Sequence, residues 1–78
     1  MTKEQLIDLL VDKAIAHLKY DDAHPDVGMG MFTRTAVDLA EQDVLVEAAR
    51  WNSLEALRLN FEDVREQVYV KVRQERMQ

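Results

Sequence analysis

The placement of the helix-breaking residues limits this chain more than any other feature of its sequence. The single proline and the two glycines all fall between positions 25 and 30, as Pro25, Gly28 and Gly30. Proline and glycine are the residues that interrupt helices most strongly. The sequence therefore predicts one loop, which we place at residues 21–32, between long regular segments.

The regular segments have the hydrophobic spacing of amphipathic helices. Thr2 and Gln5 form a capping-box pattern ahead of the first apolar run, so a helix is expected to begin there. Apolar residues then recur at intervals of three and four positions, as on one face of a helix. We predict helices over residues 3–20, 34–51 and 53–76. The fold class is a single all-α domain, a small bundle of three or four helices.

Two details of the last predicted helix leave alternatives open. Residues 68–72 alternate between β-branched and other residues in the manner of a strand, but no second segment offers a strand to pair with them. We therefore assign them to the helix. Asn60 favours a cap position, so a separate helix could begin at Phe61.

The second predicted helix is apolar on two sides. One broad face consists of Val37, Ala40, Val44, Ala48 and Trp51. Leu39 and Val46 form a second face, well separated from the first. A helix that is apolar on two sides is normally buried from both. A 78-residue chain buries only ~60–65% of its unfolded surface, and this one has no cysteine for a disulfide. We therefore predict a homodimer, with these dimer and core residues: Leu39, Val46, Trp51, Leu54, Leu57, Phe61, Val64 and Val68.

The negative charge is concentrated in the middle third of the chain. Of the net charge of −5, residues 21–47 contribute seven acids against Arg34 alone. Clustered basic residues supply most of the affinity for nucleic acid, so direct nucleic-acid binding is not expected. A partner protein with a basic surface is expected instead, because complementary charge promotes association. The residues predicted to contact a partner are Asp21, Asp22, Asp26, Asp38, Glu41, Asp43 and Glu47, together with the apolar loop residues Met29, Met31 and Phe32.

Catalytic and metal-binding patterns are not recognisable. His17 lacks an evident nucleophile, because the chain has no cysteine and its single serine, Ser53, suits a helix cap. The acidic cluster at 21–26 lacks the ligand spacing of a calcium loop. Its His-Pro-Asp tripeptide at 24–26 also marks J-domain co-chaperones, but there it follows a strongly basic helix, whereas residues 1–20 carry equal numbers of acids and bases. We predict no enzymatic activity and no cofactor.

The function expected from these features is protein binding, as an adaptor, inhibitor or regulator of the accessory type found in phages and mobile elements. One alternative is an acidic mimic of nucleic acid that blocks a DNA- or RNA-binding protein, and another is a structural or assembly subunit. No apolar run approaches the ~20 residues that span a bilayer, and no signal-peptide pattern is present. A cytoplasmic protein without membrane contact is the expectation.

Overall fold

The fold is known from a computed structural model, which describes residues 2–24, 31–50 and 61–76, with the backbone alone at 48–50. These ranges form three α-helices: α1 (Lys3–Ala23), α2 (Thr33–Arg50) and α3 (Phe61–Arg76). The prediction of an all-helical bundle is confirmed for this part of the chain. Residues 68–72 are helical, so their strand-like alternation does not decide their structure. The predicted helical turns at 53–60 lie outside the described residues.

The start of α1 is fixed by the predicted capping box. The backbone N–H of Gln5 donates to the Thr2 hydroxyl over 3.1 Å, and the backbone N–H of Thr2 donates to the Gln5 side-chain carbonyl over 2.9 Å. These two bonds satisfy amide groups that have no partner inside the helix.

The end of α1 lies beyond its predicted position, at Ala23 and not at Tyr20. His24 follows it with φ of −126°, outside the helical region, as expected for a residue that precedes proline. The His24 ring stacks on Tyr20 at a centroid distance of 4.1 Å, and its Nδ1 lies 2.8 Å from the Tyr20 carbonyl oxygen. The helix therefore continues through Asp21 and Asp22 until Pro25 prevents further turns.

The three helices run up, down and up. Contacts between side chains show that α2 is antiparallel to α1 and that α3 is parallel to α1. Lys13 meets Glu47 and His17 meets Asp43 between α1 and α2, while Lys3 meets Asp63 and Asp8 meets Lys71 between α1 and α3. The buried residues of α2 lie on the side that packs against α1 and α3, and its opposite side faces outward.

The core lies along the shared axis of the three helices. Its buried apolar residues are Leu6, Ile7, Leu10, Val11, Ala14 and Leu18 from α1, Ala36, Val37, Ala40 and Val44 from α2, and Phe61, Val64, Val68 and Val72 from α3. Burying a side chain of leucine or valine size contributes about 1.5–3 kcal/mol each, so this cluster is the main source of stability. No helix in the described ranges has a stretch apolar and long enough to cross a membrane.

Two residues predicted for the core or dimer contact lie outside this core. Leu39 is partly exposed and Val46 is exposed, both on the side of α2 turned away from α1 and α3. Phe61, Val64 and Val68, from the same predicted set, are buried. Trp51, Leu54 and Leu57 fall outside the described residues.

Candidate functional site

Glu41 is buried between α2 and α3, where it is held by Arg65. The residue is only 8% exposed. Arg65 donates from Nε to Glu41 Oε2 over 2.8 Å and from a terminal nitrogen to Oε1 over 2.7 Å. Bidentate pairs of this kind are among the strongest hydrogen bonds in proteins. The prediction that Glu41 belongs to an acidic surface for a partner stays a prediction, and in the structure its carboxylate serves the contact between two helices.

The same pair changes the acid–base behaviour of Arg65. Hydrogen bonding to Glu41 raises the pKa of Arg65 above its ordinary value, against the opposing effect of burial, and the negative charge of Glu41 adds to the rise. A group whose pKa is raised by folding contributes its full stabilisation at pH values below its pKa in the unfolded chain. This contribution is lost as the pH rises through its pKa in the folded chain. Since both values lie above the ordinary range of pH, the contact stays charged in alkaline solution.

Asp43 and Glu47 face α1. His17 Nε2 lies 2.6 Å from Asp43 Oδ2, and the Lys13 ammonium donates to Glu47 Oε1 over 3.2 Å. Lys13 and His17 are four residues apart on α1, as are Asp43 and Glu47 on α2. This matched spacing is a signal in the sequence that becomes readable once the two helices are taken as antiparallel neighbours.

Asp21 and Met31 join the two ends of the predicted loop. The backbone N–H of Met31 donates to Asp21 Oδ2 over 3.0 Å, and the Met31 side chain packs against the core while partly buried. Of the other predicted contact residues, Asp22 and Asp38 are exposed. Asp26 and Met29 lie outside the described residues.

The outward side of α2 carries two apolar side chains that are well exposed to solvent. Phe32 is 78% exposed and Val46 is 56% exposed. Leu39 lies midway between them in sequence, seven residues from each, so all three share one face of the helix. Two uncharged polar residues, also in solvent, complete the row at spacings of three and four. We call this row the outer stripe: Phe32, Thr35, Leu39, Gln42 and Val46.

Phe32 belongs to this stripe although it precedes α2. Its carbonyl oxygen accepts the hydrogen bond of Ala36 N–H over 3.1 Å, as in the first turn of a helix. The sequence interpretation assigned Phe32 to the loop surface, and Leu39 and Val46 to a separate face. Counting by sevens from Phe32 links the three, and that count was available from the sequence.

Reactive groups do not converge in the described part of the chain. Within residues 2–24, 31–50 and 61–76, no three histidine or carboxylate side chains come together as metal ligands would. His17, the one histidine with a carboxylate partner there, forms an ion-pair geometry between helices. Surface grooves between α1 and α3 have mixed charge, such as one of about 510 Å³ lined by Asp8, Val11, Asp12, Lys71, Gln74 and Glu75.

Comparison of the chain with protein-family models, with curated proteins and with solved structures found no match.

Proposed function

We propose that this chain is a non-enzymatic protein-binding domain that associates with itself through the outer stripe. The observation that carries the proposal is an exposed, uncharged helix face in a chain of which 32% is charged. The inner side of α2 already packs against α1 and α3, with Val37 and Ala40 fully buried. A helix that is apolar on two sides is normally covered on both. A homodimer covers the second side.

The spacing of the outer stripe supports a helix as its partner. Intervals of three and four residues, repeated over two heptads, are the pattern by which one helix packs along another. The proposed role is that of an adaptor, inhibitor or regulator. A cytoplasmic location and an origin in a phage or mobile element stay predictions from the sequence.

A second candidate function, contact with a basic protein through the acidic segment, has weaker support. Among the described acids of that segment, Glu41, Asp43 and Glu47 are bonded to α3 or α1, although Glu47 stays exposed, and Asp22 and Asp38 are the other exposed ones. Mimicry of nucleic acid requires a row of free negative charges, because phosphate charge dominates such binding. Because several carboxylates of the acidic segment are bonded within the chain, fewer negative charges remain free for such mimicry.

A dilution series followed by NMR tests the proposal. Backbone amide signals of a ¹⁵N-labelled sample are compared from millimolar to low micromolar concentration. We expect concentration-dependent shifts at Thr35, Leu39 and Val46, because these residues enter and leave the dimer contact. Val70, an exposed valine on α3, serves as the matched control and should not shift.

Moderate salt separates the two candidate functions. Apolar association persists when salt is added, whereas a charge-driven contact weakens. Shifts at Asp22 and Asp38 on addition of a basic protein such as lysozyme, lost in salt and without dilution shifts in the outer stripe, would favour the acidic segment. Signals that do not change anywhere on dilution would contradict self-association.

A further inference from the structure

We infer that two copies of this chain pack with their α2 helices antiparallel, crossing at Leu39 on the two-fold axis. The inference rests on the proposed function, since it specifies the arrangement of the proposed dimer. It follows from the order of residues along the outer stripe.

The outer stripe has the same order of residue classes from either end. It alternates apolar, polar, apolar, polar and apolar, with Leu39 at its centre. When a second α2 runs in the opposite direction, Leu39 meets Leu39 of the second copy. Phe32 then faces Val46, and Thr35 faces Gln42. Each apolar side chain is opposite an apolar one, and each polar side chain is opposite one that can hydrogen-bond to it.

Side-chain volume favours this direction over the parallel one. In a parallel pair, Phe32 would face Phe32 at one end and Val46 would face Val46 at the other. The two Phe32 side chains would hold the helices apart, and the smaller Val46 side chains would then be too far from each other to touch. Antiparallel packing sets a large residue against a smaller one at both ends, which suits a constant distance of 8–10 Å between helix axes, roughly the usual separation. Antiparallel helix dipoles are also mutually favourable.

The charges beside the stripe favour the same direction. Asp38 flanks it on one side and Asp43 on the other, as placed by 100° per residue around α2. In a parallel pair, the side of one helix that carries Asp38 lies against the side of the other helix that carries Asp43. Asp38 would therefore meet Asp43 along both edges of the contact. In an antiparallel pair each flank faces itself. With Leu39 on the axis, the two Asp38 residues lie about 3 Å apart along the helices at one edge, whereas the two Asp43 residues lie about 12 Å apart at the other. The negative charge of Asp38 also interacts favourably with Arg65 of its own chain, which opposes that repulsion.

The extent of the contact sets its expected strength. One helix on another over two heptads buries less than the ~800 Å² per partner of a standard interface. Association is therefore expected at roughly micromolar concentration, in the weak class of protein contacts. The dimer should dissociate on dilution without unfolding, because each copy has its own core.

Engineered cysteines distinguish the two directions, since the chain has no cysteine of its own. Disulfides form when Cβ atoms lie about 3.5–4.5 Å apart. Phe32 and Val46 are fourteen positions apart, which is about 21 Å along a helix at 1.5 Å per residue. We would prepare the Phe32→Cys and Val46→Cys variants, one of them with a mass tag, and oxidise each alone and the two mixed in a glutathione buffer. Products are measured by intact mass.

The antiparallel arrangement predicts that the mixture gives the mixed disulfide at least ten times faster than either variant gives its own. The Leu39→Cys variant should cross-link with itself, and Gln67→Cys, at an exposed position of α3, should not. Efficient self-linkage of Phe32→Cys would overturn the inference in favour of a parallel pair. Absence of linkage at all three stripe positions would overturn it too. The mass of the unmodified protein in solution then separates two cases. If the protein is a dimer, only the antiparallel arrangement is wrong; if it is a monomer, the proposed self-association is wrong as well.

Discussion

The contact between Glu41 and Arg65 shows how one ion pair can set the position of two helices. Both carboxylate oxygens are bonded, at 2.7 and 2.8 Å, and the Arg65 side chain is 38% exposed whereas that of Glu41 is 11% exposed. The two partners are therefore unequal. Removing Glu41 leaves a guanidinium that water can solvate, whereas removing Arg65 leaves a buried carboxylate without a partner.

Arg65→Ala is accordingly expected to lower the free energy of unfolding by about 1–3 kcal/mol, the cost of leaving a buried polar group unpaired. This is less than for a fully buried ion pair, because the Arg65 side chain is exposed in part. Glu41→Gln should cost less, because its amide oxygen still accepts a bond from Arg65. Urea unfolding followed by circular dichroism measures both variants. Equal losses of less than about 1 kcal/mol, the value typical of surface pairs, would contradict the buried role of Glu41.

The environment of Glu41 could not be predicted from its position in the sequence. It stands among acids in the most negative part of the chain, and nothing nearby is basic. Its partner is 24 residues away on α3. Which side of α2 meets α3 depends on how the helices pack, and residue type does not reveal this. Phe32, in contrast, could have been joined to Leu39 and Val46 by spacing alone.

Among the helices, α1 shows a beginning that local signals predicted better than its end. The capping box at Thr2 and Gln5 placed the start of α1 correctly, because both of its bonds are local. The end was placed too early because Asp21 and Asp22 were assigned to the loop with Pro25. Proline affects chiefly the residue before it, so helix could continue to Ala23.

The cap gives a prediction for α1. Thr2→Ala removes the hydroxyl that accepts the Gln5 N–H bond and should lower the free energy of unfolding by about 1 kcal/mol. Thr2→Ser keeps an acceptor and should be nearly neutral. Thermal or urea unfolding compares the three proteins. A Thr2→Ser variant as unstable as Thr2→Ala would show that the hydrogen bond is not the cause.

For the whole molecule, the hydrophobic pattern was sufficient to predict the class of fold and most of the described core. The regularly spaced apolar residues of α1, and those of α3 from Phe61 to Val68, are buried together with the inner side of α2. The pattern did not specify which helices are parallel or which acids face inward, since these depend on packing between distant segments. The pattern also placed Leu39 and Val46 on a second apolar face of α2 that the core of a monomer does not bury. Both residues belong to the outer stripe.

Self-association through the outer stripe can be measured by sedimentation equilibrium of the wild-type protein beside its Val46→Glu and Val70→Glu variants. Both valines are exposed, on α2 and α3 respectively, so each variant adds one charge to the surface without disturbing the core. We expect the mass of the wild type and of Val70→Glu to rise with concentration from 9.1 kDa towards twice that value, while Val46→Glu stays monomeric. A wild-type protein that stays at the monomer mass throughout the micromolar range, or equal weakening of the dimer by both substitutions, would rule out association through the outer stripe.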